Sequence, residues 1–283
     1  MAADLITLGA STLTFAAPLI LAALGGLCSE RSGIINIGLE GKMLGAACAT
    51  GMVGQASGNA ALGLVAGLIT AILLSLAHWM FTQNFRMDHI VSGMAINALS
   101  AGGTSLIAKT RGADFAGREM AALPVFAFWI LAFTAVVAVW YILRGTRPGL
   151  RLLAVGNDPD KSRQMGVVPE RVRFSALIAT GLMTGLAGAL IVSNAGGFTD
   201  GMTSGRGYIA LAALILGGYH AFPVLAACLF FAFLQALQIQ FQGTDGFAAA
   251  VPVEFWQALP FIATLVALAL FGKSRAPSGL GQT

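Results

Sequence analysis

The chain has 283 residues, of which 57% are hydrophobic and only 10% charged, and its mean hydropathy is +0.81. A soluble domain carries about 25% charged residues; a solvated surface cannot be built from so few, so most of the outer surface must face lipid. The net charge of +4 would point to nucleic acid in a soluble protein, but here its placement bears on membrane orientation and no nucleic-acid partner is expected.

A bilayer core about 30 Å thick needs roughly 20 apolar residues as a helix. The first such run is Leu5–Leu27. It has no Lys or Arg before Arg31, so it lacks the basic start of a cleaved leader and is expected to remain as a membrane helix. Gly41–Ala56, Ala60–Phe81, His89–Ala108 and Pro124–Leu143 follow, then Phe174–Ser193, Gly207–Tyr219, Pro223–Phe241 and Phe255–Phe271. The pattern predicts an all-α polytopic membrane protein with about 8–9 helical segments. Gly41–Ala56 and Gly207–Tyr219 are short and glycine-interrupted, as broken helices are. The 36 glycines suit close helix packing, and Gly63-x-x-x-Gly67 and Gly181-x-x-x-Gly185 have the spacing for it.

Charge sets the orientation. Arg144, Arg147, Arg151, Lys161, Arg163, Arg171 and Arg173 fall in the longest polar stretch, which the positive-inside rule places in the cytoplasm. Lys273 and Arg275 put the C-terminus on the same side, and counting backwards puts the Glu30–Arg31 turn and Arg86 there too. The N-terminus and Lys109–Glu119 then lie outside. The latter carries Lys109, Arg111 and Arg118 against the rule, and the central loop outweighs it. Residues 5–109 and 174–272 read as two inverted repeats within a single membrane domain, joined by a connecting helix over 124–143 and the cytoplasmic loop 144–173. Gly38-Leu39-Glu40-Gly41-Lys42-Met43 resembles Gly205-Arg206-Gly207-Tyr208, and each precedes a short Gly/Ala-rich segment.

Within the central loop, Asp158 is a good N-cap, Pro159 suits the first helical position and Gly166 suits a left-handed terminator. They predict a two-turn helix over Pro159–Met165. So short a helix is marginal alone and needs a docking surface. One reading lays it on anionic headgroups; the other seats it in a groove of a cytoplasmic ATPase. In the second, Lys161, Arg163 and Gln164 give polar contacts, and Met165 with Val167 an apolar anchor.

Glu40 and Arg206 are charges beside glycine-rich membrane segments, at equivalent places in the two repeats. Intramembrane charge is costly and faces a cavity or a partner, so both are candidates for the translocation pathway or for a pair across the pseudo-two-fold. Asn36, Asn97 and Gln235, with Gln238, are amides in or next to apolar spans. They suit either interhelical hydrogen bonding or a route for a neutral polar solute. Met43, Met94, Phe230 and Phe233 read as packing or lipid-facing residues. His78, His89 and His220 sit apart in the sequence and have no metal spacing. Cys28, Cys48 and Cys228 form no CxxC pair and read as buried apolar residues. No metal, nucleophile–base pair or catalytic residue is expected. Gly272-Lys273-Ser274 is no phosphate loop, because Ala267 stands where the motif needs glycine and the tripeptide ends a span.

Four stretches carry a resemblance: Glu30-Arg-Ser-Gly-Ile-Ile-Asn-Ile-Gly-Leu-Glu-Gly41, Ile90-Val-Ser-Gly-Met-Ala-Ile-Asn97, Gly156-Asn-Asp-Pro159 with Gly166, and Gly205-Arg-Gly-Tyr-Ile-Ala-Leu-Ala-Ala213. In this order they resemble the permeases of branched-chain amino acid, ribose and nucleoside ABC importers, and most closely the nucleoside subgroup served by lipoproteins of the basic membrane protein type. The resemblance implies an ATP-driven importer in the bacterial inner membrane, with a nucleoside or purine as solute ahead of simple sugars and branched-chain amino acids. It implies as partners a cytoplasmic ABC ATPase that holds the ATP and magnesium, a second and longer permease, and an extracytoplasmic solute receptor. This chain would bind no cofactor itself. The 158–166 segment becomes the coupling helix, and the first span of larger relatives is expected to be missing before Leu5. A secondary transporter or channel is the competing class; it would need a coupling carboxylate deep in a span, for which Glu40 is the candidate.

Overall fold

The computed structural model describes residues 2–115, 124–242, 253–271 and 276–282. Arg118, Glu119, Lys273 and Arg275, used above for orientation, lie outside the described residues. Eleven helices and no strand occur among them: α1 Ala2–Arg31, α2 Leu39–Ser57, α3 Ala60–Trp79, α4 His89–Phe115, α5 Val125–Gly145, α6 Arg147–Asn157, α7 Pro159–Gln164, α8 Pro169–Ala195, α9 Arg206–Leu216, α10 Ala221–Gln242 and α11 Val253–Phe271. Six stretches are long and apolar enough to cross a membrane: Ile6–Arg31, Ala60–Asn84, His89–Arg111, Phe126–Gly145, Pro169–Ala195 and Ala221–Gln240.

Nine of the helices coincide with the expected segments. The other two occupy the central stretch, and α6 is a departure from the expected loop. Its Pro148, Gly149 and Gly156 read as breakers, yet proline is tolerated in a first turn and the Thr146 hydroxyl accepts the Gly149 amide at 3.3 Å. The helix is amphipathic. Leu152 and Leu153 pack on the core, while Arg147 and Arg151 stay exposed.

α1 is the hub. Leu19, Ile20, Leu21, Leu24 and Leu27 are fully buried, and the helix packs against α5, α8, α9 and α10. Residues 16–30 are buried on every side, and a membrane helix buried all round sits inside a bundle. α8 packs likewise on α1, α2 and α3, and Thr180 donates its hydroxyl to Gly25 O at 2.7 Å across the α1 contact. Both expected glycine pairs lie at close contacts. A Cβ at Gly181 would stand 2.7 Å from Ile72 Cα, and one at Gly63 2.5 Å from Thr50 O, so these sites admit no larger side chain. Outward, Leu62, Val65, Ile69 and Leu73 form a ridge on α3, each at least half exposed. Such a row is stable only against lipid or another apolar surface.

Candidate functional site

The central stretch forms α7 with the expected ends. Asp158 closes α6 and opens α7: its amide bonds Ala154 O at 3.0 Å and its Oδ1 accepts the Lys161 amide at 2.9 Å. The Lys161 amide and ammonium hold the Asp158 carboxyl below the usual carboxylate range. At the other end Gly166 takes φ +80°. Its amide reaches Arg163 O and the Val167 amide reaches Ser162 O, both at 3.0 Å, which is the paired closure that a left-handed residue permits. Arg163 pairs with Glu170 at the start of α8. What remains outward is a small knob: Lys161, Arg163, Gln164 and Met165 are exposed, Met165 at 84%.

Deeper in the chain, both short helices begin in the interior. The turn 32–38 interrupts the path from α1 to α2, and Gly196–Gly205 interrupts that from α8 to α9. Glu40, in the first turn of α2, points its carboxylate at the start of α9. Oε1 accepts the Thr203 hydroxyl at 2.6 Å and the Gly205 amide at 2.8 Å, and Oε2 accepts the Gly207 amide at 2.6 Å. Helix α9 has no side-chain cap of its own; its N-cap is Gly205 at φ +80°. Glu40 therefore caps it from another helix, where unbonded amides and the positive dipole end favour a carboxylate. The approach is close: a Cβ on Gly207 would lie 2.5 Å from Glu40 Cα.

Asn97 of α4 does the corresponding work for α2. Its Oδ1 accepts the Gly41 amide at 2.8 Å, and its Nδ2 donates to Ile37 O and to the Tyr208 hydroxyl, each at 3.0 Å. Asn36 is fully buried. Its Nδ2 donates to Ser29 Oγ at 3.1 Å, and its Oδ1 accepts the Lys42 ammonium at 2.7 Å. Arg206 places its guanidinium over the Phe15 ring, 5.7 Å from the centroid. It borders a cavity of about 300 Å³ lined by Thr14, Phe15, Ile191, Asn194 and Met202. Glu40, Asn97 and Arg206 thus gather around the two helix starts, with Asn36 one turn away. Gln235 stands half-buried on α10, outside this group.

Four participants escaped the sequence reading. Lys42 is fully buried and shares the signal of Glu40, a charge beside a glycine-rich segment. Arg173 is buried too: its Nη1 donates to Gln83 Oε1 at 2.7 Å, its Nη2 to Gln282 O at 2.6 Å and its Nε to Ser32 O at 3.3 Å. His78 and His89, eleven positions apart, come within 6.5 Å between ring centroids and hold the backbone of one residue, Ile35, from two sides. His78 Nε2 lies 3.0 Å from Ile35 O, and the Ile35 amide donates to His89 Nδ1 at 3.2 Å. The turn between α1 and α2 is thereby clamped from α3, α4 and α8. Among the described residues no group of His, Cys, Asp or Glu is placed to hold a metal.

Against known proteins, residues 9–268 match the family described as branched-chain amino acid transport system, permease component. The chain is 37% identical to the guanosine ABC transporter permease protein NupQ of Bacillus subtilis, covering 96% of this chain and 94% of that one. It is 31% identical to the nucleoside ABC transporter permease protein NupC of Lactococcus lactis, with the same coverage. It is 32% identical to the putative glucose ABC transporter permease protein TsgC13 of Haloferax volcanii over 82% of this chain and 77% of that one.

Proposed function

The chain belongs to the family of branched-chain amino acid transport permeases, and from that premise we propose that the solute it moves is a nucleoside, with purine nucleosides such as guanosine foremost. It is a multi-pass membrane permease of an ABC importer. The observation that carries the solute is the near-full-length similarity to permeases named for guanosine and for nucleosides. Similarity to a glucose permease favours a simple sugar as the second reading.

The working parts follow from the geometry. Helix α7 is the coupling helix: rigidly capped, exposed and tied to α8 through Arg163 and Glu170, it would seat Met165 in a groove of the ATPase and pass that subunit's motion into the bundle. ATP hydrolysis falls to that partner, with ATP and magnesium held there. A second permease and an extracytoplasmic receptor complete the machine in the bacterial cytoplasmic membrane. Helices α1–α4 and α8–α11 act as inverted repeats. In support, α1 rests on α9 and α10 as α8 rests on α2 and α3, so the same relation recurs with the halves exchanged. The junction that Glu40 and Asn97 hold together lies between the repeats, where alternating access requires a hinge or a gate.

The test begins with purification of the tagged subunit from native membranes and identification of what accompanies it. The recovered assembly is then placed in vesicles with labelled guanosine and labelled glucose. ATP-dependent guanosine uptake, competed by other nucleosides and not by glucose, is expected. Glucose uptake without guanosine uptake would reassign the solute. Uptake by the chain alone without ATP would make it a secondary transporter.

A further inference from the structure

A second cavity lies away from the Glu40 junction. It measures about 820 Å³ and is lined by Arg31, Trp140, Leu143, Arg144, Leu153, residues 216–220 and the first turn of α10. Three membrane spans end on it: Ile6–Arg31, Phe126–Gly145 and Ala221–Gln240. It therefore sits at the level where hydrocarbon gives way to headgroups, on the same face as the basic central stretch. Two guanidiniums share it. Arg31 is half-buried and fixed by its Nε, which donates to Tyr219 O at 2.9 Å, while Arg144 is exposed at the end of α5. Among the described lining residues none is acidic. The neighbouring Glu30 is buried behind the lining, its carboxyl accepting the Asn36 amide at 3.4 Å and hydrogen-bonded to the side chain of Tyr219. Below the arginines, Trp140 and Phe222 meet edge to face, 5.7 Å between ring centroids, and both stay partly exposed. Helix α6 forms the cytoplasmic edge through Leu153, with exposed Arg147 and Arg151 beside it.

Two cations held around one concave space repel each other, and an anion relieves that repulsion. A ring pair at interfacial depth suits the glycerol and upper acyl carbons that hang from a headgroup. We propose that this cavity binds the phosphate of an anionic phospholipid from the cytoplasmic leaflet, with Arg31 and Arg144 on the phosphate and Trp140 and Phe222 against the glycerol and upper chains. Basic pockets between spans on the cytoplasmic side are the usual form of such sites. The site joins the end of α1, the end of α5 and the start of α10, so an occupied pocket would brace α5 where it leads into α6 and α7.

The test is native mass spectrometry of the full chain, delipidated in mild detergent and then titrated with phosphatidylglycerol or phosphatidylcholine. Phosphatidylglycerol is expected to stay bound in preference. The preference should fall about five-fold in Arg144→Gln, the loss of one cationic contact near the surface. Arg144→Lys should restore most of it, and Arg86→Gln, an exposed cation elsewhere, should leave it unchanged. A Trp140→Ala variant gives a second readout that keeps both charges, and bound lipid should dissociate at lower collision energy. Equal retention of the two lipids, or an equal loss in Arg86→Gln, would overturn the site. Displacement of the lipid by millimolar inorganic phosphate would also overturn the lipid assignment and give the pocket to a soluble phosphate.

Discussion

Glu40 offers two oxygens, and both are occupied by donors from the segment that starts α9. Its removal leaves the buried Gly207 amide without a partner in a place water does not reach freely. A hydrogen bond to a charged group contributes about 1.5–3 kcal/mol, and a stranded buried donor costs a similar amount. Glu40→Ala is therefore expected to lower the melting temperature of the purified assembly by several degrees and to cut uptake at least ten-fold. Glu40→Gln keeps one acceptor oxygen and should fall between. Arg206→Ala should also depress uptake, since its guanidinium borders the small cavity beside the same junction. Full transport by both alanine variants would remove the junction from the mechanism. Glu40 and Arg206 were legible in the sequence because a charge next to a glycine-rich membrane segment demands a partner. The partner itself was not, because the bond runs across 163 positions or more. Lys42 carried the same signal unnoticed inside a motif, and Arg173 read as one more basic loop residue. The two histidines looked unrelated because the fold of α3 back onto α4 brings them together, and spacing alone does not reveal that.

Among the elements, α7 was the most legible and α6 the least. Caps act within a few residues, so Asp158, Pro159 and Gly166 announce a helix locally. Helix α6 takes its stability from Leu152 and Leu153 packing on a core assembled from distant segments, and its glycines and proline obscured that face. The caps of α7 supply the next prediction. Asp158→Ala deletes the acceptor for the Lys161 amide, whereas Asp158→Asn preserves one, since asparagine caps nearly as well. Gly166→Ala puts a Cβ on a residue at φ +80°, a strain of about 1–2 kcal/mol. Asp158→Ala and Gly166→Ala should each reduce recovery of the ATPase with the tagged permease several-fold, with Asp158→Asn close to the parent. Acid should act like the alanine variant: the Asp158 carboxyl is held below its ordinary value, so the cap is present above the unfolded carboxylate pKa and is lost as pH falls through the lower folded one. ATPase recovery indifferent to all three substitutions would leave α7 a surface helix on headgroups.

For the whole molecule, the order of the helical segments followed from apolar run length, while the interior arrangement did not, because it rests on contacts such as those of α1 with α8 and α10 that run length cannot encode. Orientation stands between these cases. The positive-inside rule reads the basic stretch 144–173 as cytoplasmic, and the fold adds an independent constraint at the end of the chain. Segment 276–282 is fastened to that same face: the Gly279 amide donates to Gly156 O at 3.0 Å, the Gly281 amide to Gly33 O at 2.8 Å, the Ser278 hydroxyl to Asn157 O at 2.7 Å, and Arg173 to Gln282 O. Whichever side holds Met165 must therefore hold Gln282, and the α2–α3 turn at Ser57 to Asn59 lies at the opposite end of both helices. With the three native cysteines replaced, single cysteines at Met165, Gln282 and Asn59 can be probed in intact cells with a membrane-impermeant maleimide. Asn59→Cys is expected to react in intact cells, and Met165→Cys and Gln282→Cys only after permeabilisation. The reverse pattern at all three would invert the molecule while leaving its fold intact, and α7 would then face away from any cytoplasmic ATPase. Reaction of Gln282→Cys and Met165→Cys from opposite sides would instead break the fold, since the four bonds that fasten the tail could not form.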